Sequence, residues 1–391
     1  MKLTLLPSDK GDCLLLESPD GTSILIDGGM SDSYTVHVRP FLADWRKEKN
    51  RPLDLVYVSH TDQDHIAGIL QLMNDIVEWR VYDHKQRQGE QCDEPKFSKP
   101  PEVARLWHNA FHDLIGEKVG EVASMLDARG AQLATHTNLE LQKLGAAYQA
   151  IAASVPEAIK LSRRVSPTQL KIPLNEEFGG QLAMVREPPD KPDQIRLKGA
   201  NSPLIRVIGP FKADVEKFRD KWENWLHANK KKLSTVERWA GDEDARFGLG
   251  GVVGLGIDDE LGNRRAVTEE NLASLMLFVE HAGKTILLTG DGHHTDIIAG
   301  LKRNNCLAEE KGLHVNVLKV QHHGSEHNLD RAFAKCITAD HYVICGNGLH
   351  ENPDLRVLEV IFESRRGSGD QLSKNPQAKN PFEVWFNCST E

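Results

Sequence analysis

Four potential metal ligands lie close together in one short segment of the chain. His60, Asp62, Asp64 and His65 follow directly after the apolar run at residues 53–58. An apolar run that ends in imidazoles and carboxylates is typical of a strand that carries ligands on the loop at its end. Asp64 and His65 are adjacent and must point in different directions, which suits two neighbouring metal ions better than one. A solvated polar loop would not explain the apolar residues on both sides, so the segment predicts a metal site.

Two later segments carry similar side chains, each after a predicted strand. The first, Leu-Leu-Thr-Gly-Asp-Gly, contains Asp291, and the second, Leu-Lys-Val-Gln-His-His-Gly-Ser, contains His322 and His323. His350 follows the next predicted strand.

At these segments the chain resembles the metallo-β-lactamase superfamily, whose signature after a strand is His-x-His-x-Asp-His. The three segments occur in the superfamily's order, and the resemblance covers roughly residues 1–83 and 200–388. Asp62 stands where the signature has its second histidine. That variant resembles the branch that contains the metallo-β-lactamase-like domain of the competence protein ComEC and the phosphorylcholine esterases.

The resemblance implies two divalent metal ions, either Zn²⁺ or Mn²⁺. The implied ligands are His60, Asp62 and His322 for the first ion, Asp64, His65 and His350 for the second, and Asp291 as the bridge. The third histidine that many members place before the bridging aspartate is not evident in this sequence. Because Asp62 is an anionic ligand in place of a neutral one, the first site is richer in oxygen, and manganese is a credible rival to zinc.

Three residues are predicted to take part in catalysis: Asp64, Asp291 and His323. His323 is free to hydrogen-bond a substrate oxygen or to protonate the leaving group. The alternative is a histidine that only packs against the centre. Asp27 begins an Asp-Gly-Gly segment that is similar to one in the superfamily, and its carboxylate is expected to brace the metal loop from beneath; a plain turn residue is the alternative.

The resemblance implies a metal-dependent hydrolase that attacks its substrate with a hydroxide bridging the two ions. The Asp62 variant favours a phosphodiesterase or nuclease that acts on DNA, RNA or a nucleotide-derived molecule. Hydrolysis of a carboxylic ester, thioester or lactone by the same centre is the alternative enzyme activity. A different class of function is a partner-gated effector or binding component of a multi-protein system, such as an antiviral defence system.

The composition limits the partners and the location that are expected. The chain has 391 residues, of which 39% are hydrophobic, and a net charge of −9. The acidic balance argues against a surface that clamps duplex nucleic acid without help, because phosphate affinity comes mostly from lysine and arginine. The N-terminal apolar run is too short for a signal sequence, and no stretch approaches the roughly 20 apolar residues of a membrane span. A cytoplasmic location without membrane contact is therefore expected.

Strands and helices must bring these ligands together. Strand-like runs followed by helices in two halves predict an α/β (α+β) fold, the metallo-β-lactamase-type αββα sandwich that the resemblance implies, with the site along one edge between the sheets. Residues 1–83 are the predicted first half and 199–391 the second. Residues 84–198 are charged and helix-prone, which predicts a helical insertion or cap that controls access or binds a protein partner. A short strand is predicted around Trp79–Tyr82, and a helix over Glu102–Leu126.

Overall fold

The computed structural model describes residues 1–109, 157–158, 160–220, 261–307, 312–348 and 352–388. The central part of the predicted insertion and the predicted ligand His350 lie outside the described residues. Among the residues that are described, no helix has both the length and the apolar character needed to cross a bilayer.

The first sheet, as far as the structure describes it, has five strands in sequence order. They are β1 (Lys2–Leu5), β2 (Leu14–Glu17), β3 (Ser23–Ile26), β4 (Leu55–Tyr57) and β5 (Leu106–Trp107). β1, β2 and β3 form an antiparallel meander, whereas β3, β4 and β5 run parallel. Because parallel strands end at the same edge of a sheet, the segments that follow β3 and β4 lie side by side.

The second sheet contains six strands from the described segments. They are β6 (Leu204–Gly209), β7 (Met276–His281), β8 (Lys284–Leu288), β9 (Leu313–Lys319), β10 (Ile337–Ile344) and β11 (Glu383–Phe386), in the order β11-β10-β9-β8-β7-β6. The strands β8 to β11 run parallel, and β7 is antiparallel to both of its neighbours. The hairpin between β7 and β8 turns at Ala282 and Gly283, whose φ angles of 49° and 74° are those that a tight two-residue turn requires.

Helices flank both sheets. They include α1 (Arg39–Lys49), α2 (Gln63–Gln88), α3 (Glu269–Leu272), α4 (His294–Arg303), α5 (Arg331–Cys336) and α6 (Leu355–Arg366). The helical turns Ser31–Ser33 and Tyr34–Val38 precede α1, and residues 160–165 and 212–220 are also helical. In α2 the buried residues Ile66, Ile69, Met73 and Ile76 repeat at helical spacing and lead on to Trp79. The short strand predicted around Trp79–Tyr82 is therefore wrong, because Trp79 continues the buried face of the helix.

Three hydrophobic clusters hold the layers together. Leu14 and Leu16 of β2 pack between the sheets against Leu277 and Leu288 of the second sheet. Leu15 points to the opposite face of β2 and packs in a cluster with residues of α1 and α2. The third cluster joins the second sheet to α4, α5 and α6. Alternate residues of a strand thus fill different cores, and the predicted αββα sandwich is confirmed.

The strand β5 lies beyond the predicted end of the first half. Leu106 packs in the core beneath α1 and α2, and Trp107 packs in the core between the sheets. Side chains that point in opposite directions from adjacent residues are a property of a strand, so the helix predicted over Glu102–Leu126 is wrong for this part of its length. The predicted boundary at residue 83 falls within α2. The division into two halves and an insertion otherwise stays a prediction.

Candidate metal centre

The candidate ligands are carried by loops at one edge of the sandwich. The loop after β4 begins near Ser59 and carries His60 and Asp62, and the first turn of α2 carries Asp64 and His65. The turn after β8 carries Asp291, and the segment after β9 carries the two adjacent histidines. The sheets are joined at this edge, since the Leu275 N–H donates a hydrogen bond of 2.7 Å to the Ser59 carbonyl. Residues far apart in the sequence therefore meet here.

Asp291 lies in the middle of the site, surrounded by four imidazole rings. The Nε2 atoms of His60, His65, His322 and His323 lie 3.7, 3.6, 3.8 and 3.6 Å, respectively, from its carboxylate oxygens. Oδ2 faces His60, His322 and His323, whereas Oδ1 faces His65. The two oxygens of this carboxylate therefore face different sets of donors.

Asp62 and Asp64 extend these two sets. Asp62 Oδ2 lies 3.4 Å from Nε2 of His60, and Asp64 Oδ1 lies 4.0 Å from Nε2 of His65. Asp64 Oδ2 also lies 3.4 Å from Nε2 of His323. His60 and Asp62 thus accompany one oxygen of the central carboxylate, and Asp64 and His65 accompany the other.

The outward-facing nitrogens of the rings are held by other side chains. The Nδ1–H of His65 donates to Asp27 (3.0 Å), and the Nδ1–H of His322 donates to the Asn328 side-chain oxygen (2.9 Å). The orientation of the Asn328 amide follows from its Nδ2, which donates to the carbonyls of Asp291 and Gly292. A ring whose Nδ1 carries the proton has its lone pair on Nε2. These partners therefore prepare the inward nitrogens to bind a metal.

The donor atoms fit a divalent cation. Four buried atoms that face the centre lack a hydrogen-bond partner among the described residues: His60 Nε2, His65 Nε2, His323 Nε2 and Asp291 Oδ1. Burying polar atoms without partners is costly, so such a convergence indicates that another group completes them. A tetrahedral zinc ion with bonds of about 2.0–2.2 Å holds its ligand atoms about 3.3–3.6 Å apart. The separations of 3.4 to 3.8 Å between the donors and their nearest carboxylates are close to this range.

The carboxylates and imidazoles shift one another's proton affinity. Burial by itself would raise the pKa of Asp64 and of Asp291, but the neighbouring histidines outweigh burial and hold both pKa values below the ordinary range. Burial by itself would lower the pKa of His65 and of His323. Asp291 and the other carboxylates instead raise the pKa of His65 well above its ordinary value and the pKa of His323 to about 10. The site therefore attracts positive charge, either protons or a metal ion.

These shifts predict opposite effects of pH on the metal-free and the metal-loaded protein. With chelator present, His65 and His323 bind protons more tightly in the folded state than in the unfolded state. Their raised pKa values therefore contribute on the order of a few kcal/mol to the free energy of unfolding below pH about 6.5. This contribution is lost as the pH rises through the pKa of about 10 for His323. A divalent ion must displace the extra proton of its ligand His65, so its affinity should rise about tenfold per pH unit for each proton displaced. Thermal unfolding from pH about 6.5 to about 9, with chelator and with added metal, measures both trends; parallel profiles would contradict the prediction.

Asp27 braces the metal loop as the sequence predicts. Its carboxylate accepts hydrogen bonds from the Ser59 N–H and the Ser59 hydroxyl, both of 2.7 Å, as well as the bond from His65. Ser274 has a similar role opposite, since its Oγ accepts a bond of 3.3 Å from the Asp291 N–H. The ligand loops are thus fixed by buried hydrogen bonds before any metal binds.

Two further residues of the site, Asp12 and Lys319, are absent from the predicted set. Lys319 Nζ lies 2.5 Å from Asp12 Oδ2 and 3.5 Å from Asp291 Oδ1, and both side chains are buried. The sequence does contain a signal for Lys319, because a lysine between Leu318 and Val320 in an apolar strand must find a partner if it is buried. Asp12 gives no such signal, since an aspartate in a turn between two strands is ordinary.

The structure brings most of the predicted site residues together. The gathered residues are His60, Asp62, Asp64, His65, Asp291, His322 and His323. His350 lies outside the described residues. Their individual roles in metal binding and catalysis stay predictions.

A comparison with protein families agrees with this geometry. Residues 7–106 match the model of the metallo-beta-lactamase superfamily. The match covers about a quarter of the chain, from the end of β1 to the start of β5, and includes the segment His60 to His65. No curated protein matches the chain. The match and the groups of potential metal ligands together support a metal-dependent hydrolase, and residues 7–106 are similar to the metallo-beta-lactamase superfamily.

Proposed function

We propose that the protein is a dinuclear phosphodiesterase that cleaves DNA, RNA or a nucleotide-derived phosphodiester. The observation that carries this proposal is the position of Asp291, whose two oxygens face two sets of potential metal donors. Pairs of divalent ions occur in phosphatases, polymerases and nucleases, where they stabilise the attacking and leaving oxygens of a displacement at phosphorus. A shared central carboxylate is what such a pair requires.

The charge of the centre also supports two ions. Five carboxylates belong to it in the described part of the chain, Asp12, Asp27, Asp62, Asp64 and Asp291, together with the ammonium group of Lys319. The protonated His323 adds a second positive charge, so five negative charges and two positive charges leave three negative charges. A single divalent ion would leave one negative charge uncompensated in a largely buried site, which is energetically costly, whereas two ions would leave one positive charge that suits an anionic substrate.

The proposal gives each side chain a role. His60, Asp62 and His322 would hold one ion, Asp64 and His65 would hold the other together with the predicted ligand His350, and Asp291 would serve both. Bound ions would supply an activated water and would neutralise charge that develops on the phosphoryl group. His323 carries a proton on each ring nitrogen: Nδ1 faces Asp12 Oδ1, Nε2 lies 3.4 Å from Asp64 Oδ2, and the Nε2 proton is donated to the leaving oxygen.

Differences in exposure indicate where the substrate enters. The side chains of Asp62 and His322 are 30% and 29% exposed, whereas those of His60 and Asp291 are 3% and 4% exposed. The substrate phosphate therefore approaches on the side of Asp62 and His322. On that side the protein itself is acidic, so bound divalent ions are needed to attract an anion.

The test is cleavage by the metal-stripped protein after Mn²⁺ or Zn²⁺ is added back. The substrates are labelled single-stranded DNA, duplex DNA and RNA, bis(p-nitrophenyl) phosphate as a minimal phosphodiester, and a p-nitrophenyl carboxylic ester. We expect metal-dependent cleavage of at least one phosphodiester. We also expect Asp64→Asn to lower the cleavage rate at least about 100-fold, because even residues that only hydrogen-bond to metal ligands contribute about 10- to 100-fold to metal affinity or activity. Asp44→Asn, an exposed aspartate on α1, is the matched control and should retain full activity.

Cleavage of the carboxylic ester alone would contradict the phosphodiesterase proposal and would favour an ester, thioester or lactone substrate. Protein that binds two ions yet cleaves none of the substrates would also count against it, and would direct attention to a partner-gated component.

A further inference from the structure

A buried ion pair lies directly against the metal centre. Lys319 and Asp12 are each 1% exposed, and their charged atoms are 2.5 Å apart. A buried pair of this kind usually stabilises a fold no better than apolar residues of the same size, because removing both charges from water is costly. Its value must therefore come from what the two side chains do to their neighbours.

Lys319 reaches from the end of β9 to the turn that carries the shared ligand. Its Nζ donates a hydrogen bond of 2.9 Å to the Gly290 carbonyl and lies 3.5 Å from Asp291 Oδ1. One ammonium group thus contacts both the backbone before Asp291 and its carboxylate. These contacts restrict the rotation of the carboxylate that faces both sets of metal donors.

Asp12 reaches from the turn before β2 to the proposed proton donor. Its Oδ1 lies 3.4 Å from Nδ1 of His323. Apart from this approach, neither atom has a hydrogen-bond partner among the described residues. An ionised carboxylate can only accept, so Asp12 keeps a proton on Nδ1 and directs Nε2 to Asp64 and Asp291.

Asp12 also lies in a group with His65 and His323 that has metal-ligand spacing. Two contacts argue that no ion binds there. The Nδ1 atom of His65, which faces Asp12 at 3.8 Å, already donates to Asp27 at 3.0 Å. The Lys319 ammonium group occupies the position next to the Asp12 carboxylate that a cation would take. Lys319 therefore serves as the cation for Asp12.

We propose that Asp12 and Lys319 are a positioning pair, in which Asp12 fixes the ring of His323 and Lys319 fixes the carboxylate of Asp291, so that both face the metal centre in the correct orientation. This inference rests on the proposed function only through its metal centre. It does not depend on which substrate is cleaved, so it is tested by metal binding as well as by activity.

The double variant Asp12→Asn with Lys319→Met separates positioning from charge. It removes one negative and one positive charge, so the net charge of the centre is unchanged, and the new side chains have nearly the original shapes. We expect affinity for Co²⁺ to fall about 10- to 100-fold, as when other partners of metal ligands are removed, and the visible absorption spectrum of the Co²⁺ protein to change. Competition with a chelator and absorption spectroscopy give the two readouts.

For the single variant Lys319→Met, the positioning pair and charge alone predict opposite changes in metal affinity. Losing a positive charge next to the metals would tighten binding by electrostatics, whereas losing the group that orients Asp291 weakens it. We expect weaker binding. Tighter metal binding or an additional bound ion in the single variant would overturn the proposal. A wild-type affinity and spectrum in the double variant would overturn it as well.

A second buried ion pair provides the matched control. Arg39 on α1 and Asp75 on α2 are 2.7 Å apart, with side chains 16% and 0% exposed. Arg39→Met with Asp75→Asn removes a comparable pair away from the ligands, so it should lower the melting temperature and leave Co²⁺ affinity and spectrum unchanged. A change in metal affinity here as large as in the first pair would show that any loss of packing has this effect, and would also overturn the proposal.

The wild-type protein gives a test that needs no variant to fold. In the Zn²⁺-loaded protein the pair should keep a proton on Nδ1 of His323, whether or not Nε2 is also protonated, and ¹⁵N NMR of the imidazole detects this proton. A His323 ring that is protonated only on Nε2 would overturn the proposal. If the NMR and Co²⁺ results agree with it while no phosphodiester is cleaved, the positioning pair stands and the proposed substrate class is wrong.

Discussion

Asp291→Asn is expected to lose bound metal and hydrolytic activity together. The substitution keeps the shape of the side chain, but an amide presents one neutral oxygen where the carboxylate presents two oxygens to His60, His65 and His322. Both sets of donors lose their shared ligand, so we expect both metals to bind at least about 100-fold more weakly, given that weaker partners already contribute about 10- to 100-fold. Metal content after dialysis and hydrolysis at a fixed metal concentration measure the two effects.

Asp54→Asn is the matched control for this substitution. Asp54 is also buried, but it lies at the opposite end of β4, where it binds Ser23 and Arg51. It should change the melting temperature without changing metal content. If Asp291→Asn retained two bound ions with wild-type affinity, Asp291 would not be the shared ligand and the assignment of both donor sets would be wrong.

The predictable part of the site is the part encoded by local patterns. An apolar strand followed at once by His60, Asp62, Asp64 and His65 has a specific spacing, and the later histidine pair has a specific context. Each segment ends a strand, and strand ends meet at sheet edges, so assembly of the segments at one edge follows from the αββα architecture. The hairpin between β7 and β8 is similarly local, since Ala282 and Gly283 need only a turn of two residues.

The parts that local patterns could not predict depend on tertiary contacts. Trp79 has the propensity of a strand residue, but packing of the buried face of α2 decides its conformation. Leu106 and Trp107 form a strand because two different cores are available to them. Asp12 and Lys319 are separated by about 300 residues and meet only when the two sheets pack together, so neither sequence neighbourhood reveals the other.

Gly11→Ala is expected to damage the metal centre without altering any ligand. Gly11 lies in the turn between β1 and β2, and a Cβ atom on it would lie 1.7 Å from the backbone oxygen of Asp64. Backbone atoms cannot move aside as a flexible side chain can, so the turn or the metal loop must shift. We expect a loss of stability of about 1–3 kcal/mol or more, measured by urea unfolding with chelator present. Displacement of Asp64 should also weaken metal binding, measured by competition with a chelator.

Gly21→Ala distinguishes this close contact from a general intolerance of alanine in turns. Gly21 lies in the turn between β2 and β3 with a φ of +83°, and a Cβ atom there would have no atom within 4 Å. Alanine is strained in that conformation by about 1–2 kcal/mol, so the two variants should lose comparable stability. Only Gly11→Ala should also lose metal affinity, because only Gly11 packs against the backbone of a ligand. Equal metal affinity in both variants would contradict the prediction, since the turn of Gly11 would then have shifted and left Asp64 in place.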